Sequence, residues 1–209
     1  MAPVAALPSV TIGTQVWTLK NVDVTTYRDG TPIPQVTDPN IWAHLTTGAW
    51  CYYNNDPANG AIYGKLYNWY AVAGIHDNDP NTSNKILAPT GWHVSSDTDW
   101  TTLTDFLGGE SIAGGAMREA GNAHWSACTN TSATNSSGFT GLPGGCSYSD
   151  ESFINVGVFI SLGGFVNWWS SSEYNTSKAW YRTMNCYNGG AYRDIFFKAN
   201  GLSVRLVKD

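Results

Sequence analysis

The sequence predicts one α+β domain, and three observations lead there. Turn-punctuated segments rich in β-branched and aromatic residues stand at both ends of the chain, two stretches of helical periodicity lie between them, and no repeat of about 20–50 residues is visible, which removes solenoids and propellers. Strands at both ends with helices inside predict that the ends pair in one sheet. The 209-residue length suits a single domain over residues 10–209 behind a short extension, residues 1–9.

Residues 9–29 mix β-branched and aromatic residues with polar partners and are broken at Gly13-Thr14, the pattern of a hairpin. Asp29-Gly30-Thr31-Pro32 is turn chemistry, and Asp38-Pro39-Asn40 opens a short helical turn around Trp42. Ala49 to Tyr53 reads as a strand. Ile62, Leu66, Trp69, Tyr70 and Ala73 recur at helical spacing and predict a helix over 61–73, closed by Gly74. The second helix spans 96–107: Ser96 caps it, Asp99 completes a capping box, and Trp100, Leu103, Phe106 and Leu107 make the apolar stripe before Gly108-Gly109. Residues 75–91 read as a polar loop, and the glycine-rich stretch from 114 to 145 as a long, irregular, packed one. Short strands follow at Asn167 to Ser171, Ala179 to Cys186, Ala191 to Phe197 and Leu202 to Val207, with turns at Asn175 and Asn188-Gly189-Gly190.

Composition narrows the function. Only 13% of residues are charged, so 18 Asn, 18 Ser and 21 Thr must cover much of the surface, while 42% hydrophobic residues suffice for a sizeable core and exclude global disorder. Abundant Tyr, Trp, Ser, Gly and Asn resemble the make-up of binding surfaces. Residues 1–177 carry 5 Lys/Arg against 14 Asp/Glu (net −9) and residues 178–209 carry 6 against 2 (net +4), without any basic run of the kind nucleic acid requires. No stretch reaches the roughly 18 apolar residues of a membrane span, and the first residues lack the basic and apolar regions of a signal peptide. Cys51, Cys128, Cys146 and Cys186 show no C-x-x-C spacing; they allow two disulfides in three pairings, or none.

Four blocks carry a resemblance: Gly64-Lys65-Leu66-Tyr67-Asn68-Trp69-Tyr70-Ala71-Val72, Leu87 to Trp100 around Gly91-Trp92-His93-Val94, Trp168-Trp169-Ser170-Ser171-Ser172-Glu173, and Gly201-Leu202-Ser203-Val204-Arg205. In this order they resemble the Fibrobacter succinogenes major paralogous domain over Val10 to Asp209. That family is similar to the C-type-lectin-like group containing formylglycine-generating enzymes and the variable proteins of diversity-generating retroelements. The resemblance implies a C-type-lectin-like fold with two main helices, terminal strands in one sheet and long packed loops.

Adenine-directed mutagenesis in such retroelements leaves Asn, Tyr, Ser, Thr, Ile, Phe, Asp, Ala, Gly or Cys at targeted positions, and residues 179–198 alternate such residues with Trp180, Arg182 and Arg193. Similar residue types recur at Phe153, Ile154, Val158, Phe159, Ile160, Ser161, Phe165, Val166 and Asn167. The resemblance therefore implies a non-enzymatic binding or adhesion module of a bacterial surface or phage tail, facing a protein or glycan. Its contact residues would be Tyr181, Thr183, Asn185, Tyr187, Tyr192, Asp194, Phe196 and Phe197, with Phe159, Phe165 and Asn167, and Trp168, Trp169, Trp180 and Arg205 would be scaffold. The competing class is a ligand-free structural surface domain, distinguished by whether those aromatics form one exposed patch; a hydrophobic sheet with ordinary turns has the same residue pattern.

Other constellations carry less. Asp77, Asp79, Asn81 and Asn84 offer oxygens at a spacing resembling a Ca²⁺ loop, but without the glycine and closing Glu, and Pro80 restricts Asp79; a solvated turn is the simpler account and no cofactor is expected. His44, His76, His93 and His124 form no zinc motif, Ser170-Ser171-Ser172 has no nucleophile elbow, and Gly108-Gly109 and Gly114-Gly115 lack phosphate-loop spacing. The formylglycine-generating chemistry needs a reactive cysteine pair, for which Cys186 has only Cys146 as a spatial candidate.

Overall fold

The computed structural model describes residues 7–127, 133–149 and 157–209. In chain order the elements are β1 (Ser9–Ile12), β2 (Gln15–Thr18), α1 (Pro39–Ala43), β3 (Trp50–Cys51), α2 (Pro57–Tyr63), β4 (Leu66–Tyr67), α3 (Trp69–Val72), β5 (Trp92–Val94), α4 (Asp97–Phe106), α5 (Glu110–Met117), β6 (Gly144–Tyr148), β7 (Val158–Leu162), β8 (Phe165–Glu173), β9 (Lys178–Asn185), β10 (Ala191–Phe197) and β11 (Leu206–Lys208). Phe153, Ile154 and Cys128 lie outside the described residues.

The N-terminal hairpin is as expected. β1 and β2 pair with Ile12 opposite Gln15, and Gly13 takes φ +60° at the first loop position, where a tight hairpin turn favours glycine. β11 then inserts between β2 and β5, Val207 opposite Trp17, so both chain ends share a four-stranded sheet ordered β1-β2-β11-β5. Asp38 caps α1 by accepting from Asn40 N and Ile41 N, and Ser96 and Asp99 form the capping box of α4. Trp100 and Leu103 of α4 are fully buried, but Phe106, expected in the same stripe, is 63% exposed at the last turn.

The helix expected over 61–73 does not form. Gly64, at φ +78°, ends α2, Leu66-Tyr67 turns extended to pair with Trp50-Cys51, and the Asn68 side chain accepts from Ala71 N to start the separate α3. The apolar periodicity is real, but two short helices and a ribbon strand satisfy it. The stretch from 114 is likewise not all loop, since α5 continues to Met117 and β6 begins at Gly144.

Among the described residues the second sheet is five-stranded, ordered β10-β9-β8-β6-β7. Neighbouring residues along β8 show how it is packed. Trp168 joins the core formed with Trp17, Trp100, Leu103, Met117, Phe139 and Met184, beneath α4 and α5. Trp169 points the opposite way into the core of Trp50, Tyr67, Trp69, Leu87, Leu202 and Val204. The sheet is therefore sandwiched over part of both faces, and curls so far that Tyr148 on β6 reaches the Phe196 ring on β10 at 5.8 Å between centroids.

Arg205 stitches the halves together. Fully buried, it donates from Nε to Asn21 Oδ1, from Nη1 to Thr18 O and Phe139 O, and from Nη2 to Thr140 O, with its guanidinium 4.4 Å from the Phe139 ring centroid. Burial pushes its pKa down to about 9, a cost that this full set of acceptors offsets.

Candidate functional site

The curled sheet presents two faces whose membership follows from register. Phe165 stands opposite Asn185, Thr183 lies between Asn167 and Tyr192, Tyr181 lies between Trp169 and Asp194, and Phe196 stands opposite Ala179. Directly paired residues share a face, so Phe165, Asn167, Tyr181, Thr183, Asn185, Tyr192, Asp194 and Phe196 all project to the concave side. The alternate set, Trp168, Trp180, Arg182, Arg193 and Ile195, projects to the other side.

That other side is tied down by charge. Arg182, fully buried, donates from Nη1 to Asp97 Oδ1 at 2.7 Å and from Nη2 to Thr101 Oγ1 at 3.0 Å. Arg193 Nη2 lies 2.8 Å from Asp97 Oδ2, and its guanidinium lies 3.2 Å from the Trp180 ring centroid. Burial alone would raise the Asp97 carboxyl, but hydrogen bonds from Arg193 and Arg182 hold it below its ordinary value. Trp168, Trp169 and Arg205 are fully buried, as expected of scaffold, while Trp180 is half-buried between Arg193 and Tyr174.

The concave side is graded. Tyr67 and Trp69 roof the end near Trp169, whose Nε1 donates to Tyr67 O. Beyond it Tyr181 and Phe196 stack at 5.2 Å and 25°, each half-buried, with Asp194 exposed beside them. The Tyr181 phenol is pushed above its ordinary range by burial first, then by Asp194 and Cys146. The floor is Asn167, Thr183 and Tyr192, and the far end carries Phe165 edge-on to Tyr187 at 6.0 Å. Tyr187, 63% exposed, lies just past β9.

Four expected contact residues have other placements. Phe159 points away from this face and packs on Tyr53 at 5.3 Å, because Val158 and Ile160 take the concave positions opposite Tyr148 and Cys146. Phe197 also turns away, with Lys178 Nζ 4.3 Å from its ring centroid, since it follows Phe196 in an alternating strand. Asn185 is buried and its Oδ1 accepts from Tyr187 N and Asn188 N, which fixes the turn after β9. Asn167, also buried, hydrogen-bonds the Cys146 side chain below the surface. Conversely, Val158, Ile160 and Leu162 of β7 are exposed on the same side, an uncharged apolar edge whose residue types the sequence showed but whose strand it did not.

The remaining constellations do not converge. Asp77 Oδ1 accepts from Asp79 N, and Asp79 Oδ1 from the backbone and side chain of Asn81, so one oxygen of each aspartate is engaged in successive turns; Asn84 lines the same small cleft. Among the described residues no three His, Cys, Asp or Glu side chains meet as a metal site. His93 bridges Asp209 and Asp99 at 2.8 and 3.2 Å, and His124 meets Glu119 at 2.8 Å. Cys186 is disulfide-bonded while Cys146 is free and buried, its thiol pushed up to about 12 by burial, so these two do not make the reactive pair considered above. A shallow cleft of about 560 Å³, lined by His44, Tyr70, Phe197 and Lys198 among others, does not include the concave-face residues named here.

Among known families, the model described as Fibrobacter succinogenes major domain matches residues 10–208. No curated protein and no solved structure matches the chain.

Proposed function

Because the chain belongs to the Fibrobacter succinogenes major domain family, we propose that it folds as a C-type-lectin-like domain of the retroelement-diversified kind. It acts as a non-enzymatic receptor-binding or adhesion module on a bacterial surface or phage virion and needs no cofactor. The observation that carries this reading is the division of β8, β9 and β10. Residue types that adenine-directed mutagenesis leaves (Phe165, Asn167, Tyr181, Thr183, Tyr192, Asp194, Phe196) share the concave side, and the arginines and Trp168 that lock the sheet to α4 share the other. A diversified face must be separable from the residues that hold the fold. Half-exposed rings at its two ends supply contact area at low entropy cost, and the Thr183 and Tyr192 groups between them supply adaptable hydrogen bonds. The ligand is a protein or glycan on a target surface.

Two measurements test the reading. The encoding locus should carry a near-copy of the codons for residues 150–205, adenine-rich at the concave positions, beside a reverse transcriptase gene; a locus without them overturns diversification. On panels of surface proteins and glycans, capture should fall in a Phe165→Ala/Tyr187→Ala variant of unchanged melting temperature. Capture that is indifferent to both rings places the binding surface elsewhere.

A further inference from the structure

Three buried cations of this fold are balanced by a carboxylate: Arg182 by Asp97, Lys65 by Asp23 and Lys198 by Glu173. Arg205 is buried as deeply, yet among the described residues no carboxylate pairs with it. Its acceptors, Asn21 Oδ1 and the carbonyls of Thr18, Phe139 and Thr140, replace the water it has lost but bring no negative charge. They engage Nε, both hydrogens of Nη1 and one hydrogen of Nη2, so one Nη2 hydrogen has no acceptor among the described residues.

A cleft of about 310 Å³ reaches this arginine. It opens between residues 19–23, α2 and residues 140–142. Asn21 and Thr140, which accept from Nε and Nη2, line it together with Arg205, so the Nη2 edge of the guanidinium stands at its wall. Lys20 lines the same cleft, is exposed, and makes no ion pair or side-chain hydrogen bond among the described residues. The carboxylate on the lining, Asp23, is held by Lys65. Leu19, Ile62, Tyr63 and Leu142 make the remaining wall largely apolar.

We propose that this cleft is a binding site for a small monocarboxylate with an apolar body, separate from the concave face. One carboxylate oxygen meets the unused Nη2 hydrogen of Arg205 and the other the Lys20 ammonium, a two-donor set that matches a carboxylate better than the several oxygens of a phosphate. The apolar wall buries the rest of the ligand, and the volume, at the small end for ligand cavities, suits a body of about one ring. The anion supplies the counter-charge that Arg205 lacks, in a partly enclosed site where a charge pair is stronger than on the open surface.

The test titrates benzoate, with benzamide as the neutral isostere, into the ¹⁵N-labelled full chain. Expected with benzoate are saturable shifts of the Lys20, Asn21, Tyr63 and Thr140 amides and of the Arg205 side-chain Nε–H. Benzamide, and benzoate on Lys20→Gln, should bind roughly fivefold or more weakly. Lys20 is exposed, so Lys20→Gln should melt with wild type. Arg205 stays in place, because its removal would take four hydrogen bonds from the fold, and its own Nε–H signal reports on it instead. Benzamide binding as tightly as benzoate, a titration unchanged in Lys20→Gln, or an Arg205 signal that stays still while the amides move overturns the proposal. Capture through Phe165 and Tyr187 is tested separately and does not depend on the outcome.

Discussion

Removing Trp169, Phe196 or Tyr187 separates scaffold from the proposed binding face within one stretch of about thirty residues. Trp169 is fully buried, so Trp169→Ala should cost about 4 kcal/mol, within the usual range for truncating a packed aromatic. Its lost hydrogen bond adds little, because Tyr67 O also accepts from Leu202 N at 3.0 Å and is not orphaned. For a chain of this size that corresponds to a fall in melting temperature of roughly 8–16 °C. Phe196 is half-buried, stacked on Tyr181 and tilted against Tyr148, so Phe196→Ala should cost about 1.5–2.5 kcal/mol. Tyr187 is 63% exposed and its described ring contact is Phe165, so Tyr187→Ala should cost under about 1 kcal/mol; the backbone N–H that Asn185 fixes survives the change. Urea unfolding at constant slope reads all three. A Tyr187→Ala loss equal to that of Trp169→Ala would mean the supposed face is core, and the division between the two sides of the sheet would have no energetic content.

Four further outcomes follow from the same geometry. Asp97→Ala should cost about 3 kcal/mol, the low end for breaking a buried pair, because Arg182 keeps Thr101 Oγ1 as an acceptor. The Asp97 carboxyl is held below its ordinary value in the fold, so its contribution is fully present above the unfolded pKa of about 3.9 and is lost as pH falls through the lower folded value; urea midpoints of Asp97→Asn should change less than wild type across that acid range, and parallel curves would refute it. Ser96→Ala should cost about 1 kcal/mol, since Asp99 N and Asp99 Oδ2 both lose the hydroxyl; a change within error in thermal melts would show that the cap is dispensable. A chelator should leave the melting temperature in place, because Asp77 and Asp79 are occupied by backbone N–H groups; a fall of more than about 5 °C would refute this.

How much of this was legible in the sequence depends on whether a residue's role is local. Asp38, Ser96 with Asp99, and Gly13 act through backbone groups within a few positions, and each acts where the sequence puts it. The helix expected over 61–73 failed because Leu66 and Tyr67 pair with Trp50 and Cys51, a non-local gain that periodicity does not register. The weak helix α5 escaped notice for a related reason: Gly114 and Gly115 are poor helix formers, yet Gly115 N donates to Gly189 O, and a Cβ on Gly114 would stand 2.2 Å from Gly190 O. Close approach to the β9–β10 turn, not helix propensity, accounts for those glycines.

The concave side of the sheet shows the same limit at the level of single side chains. In Asp194-Ile195-Phe196-Phe197 every residue belongs to the mutagenic set, so residue type alone cannot divide the run, and only register assigns Asp194 and Phe196 to one side and Ile195 and Phe197 to the other. In Trp168-Trp169 two identical residues serve opposite cores for the same reason. Register here is held by Arg182 and Arg193, which reach the same aspartate from adjacent strands. A one-residue slip of β10 would move Arg193 off Asp97 and bring Asp194 toward α4, burying a carboxylate beside the one already there. The charged side of the sheet thus selects which residues the other side displays.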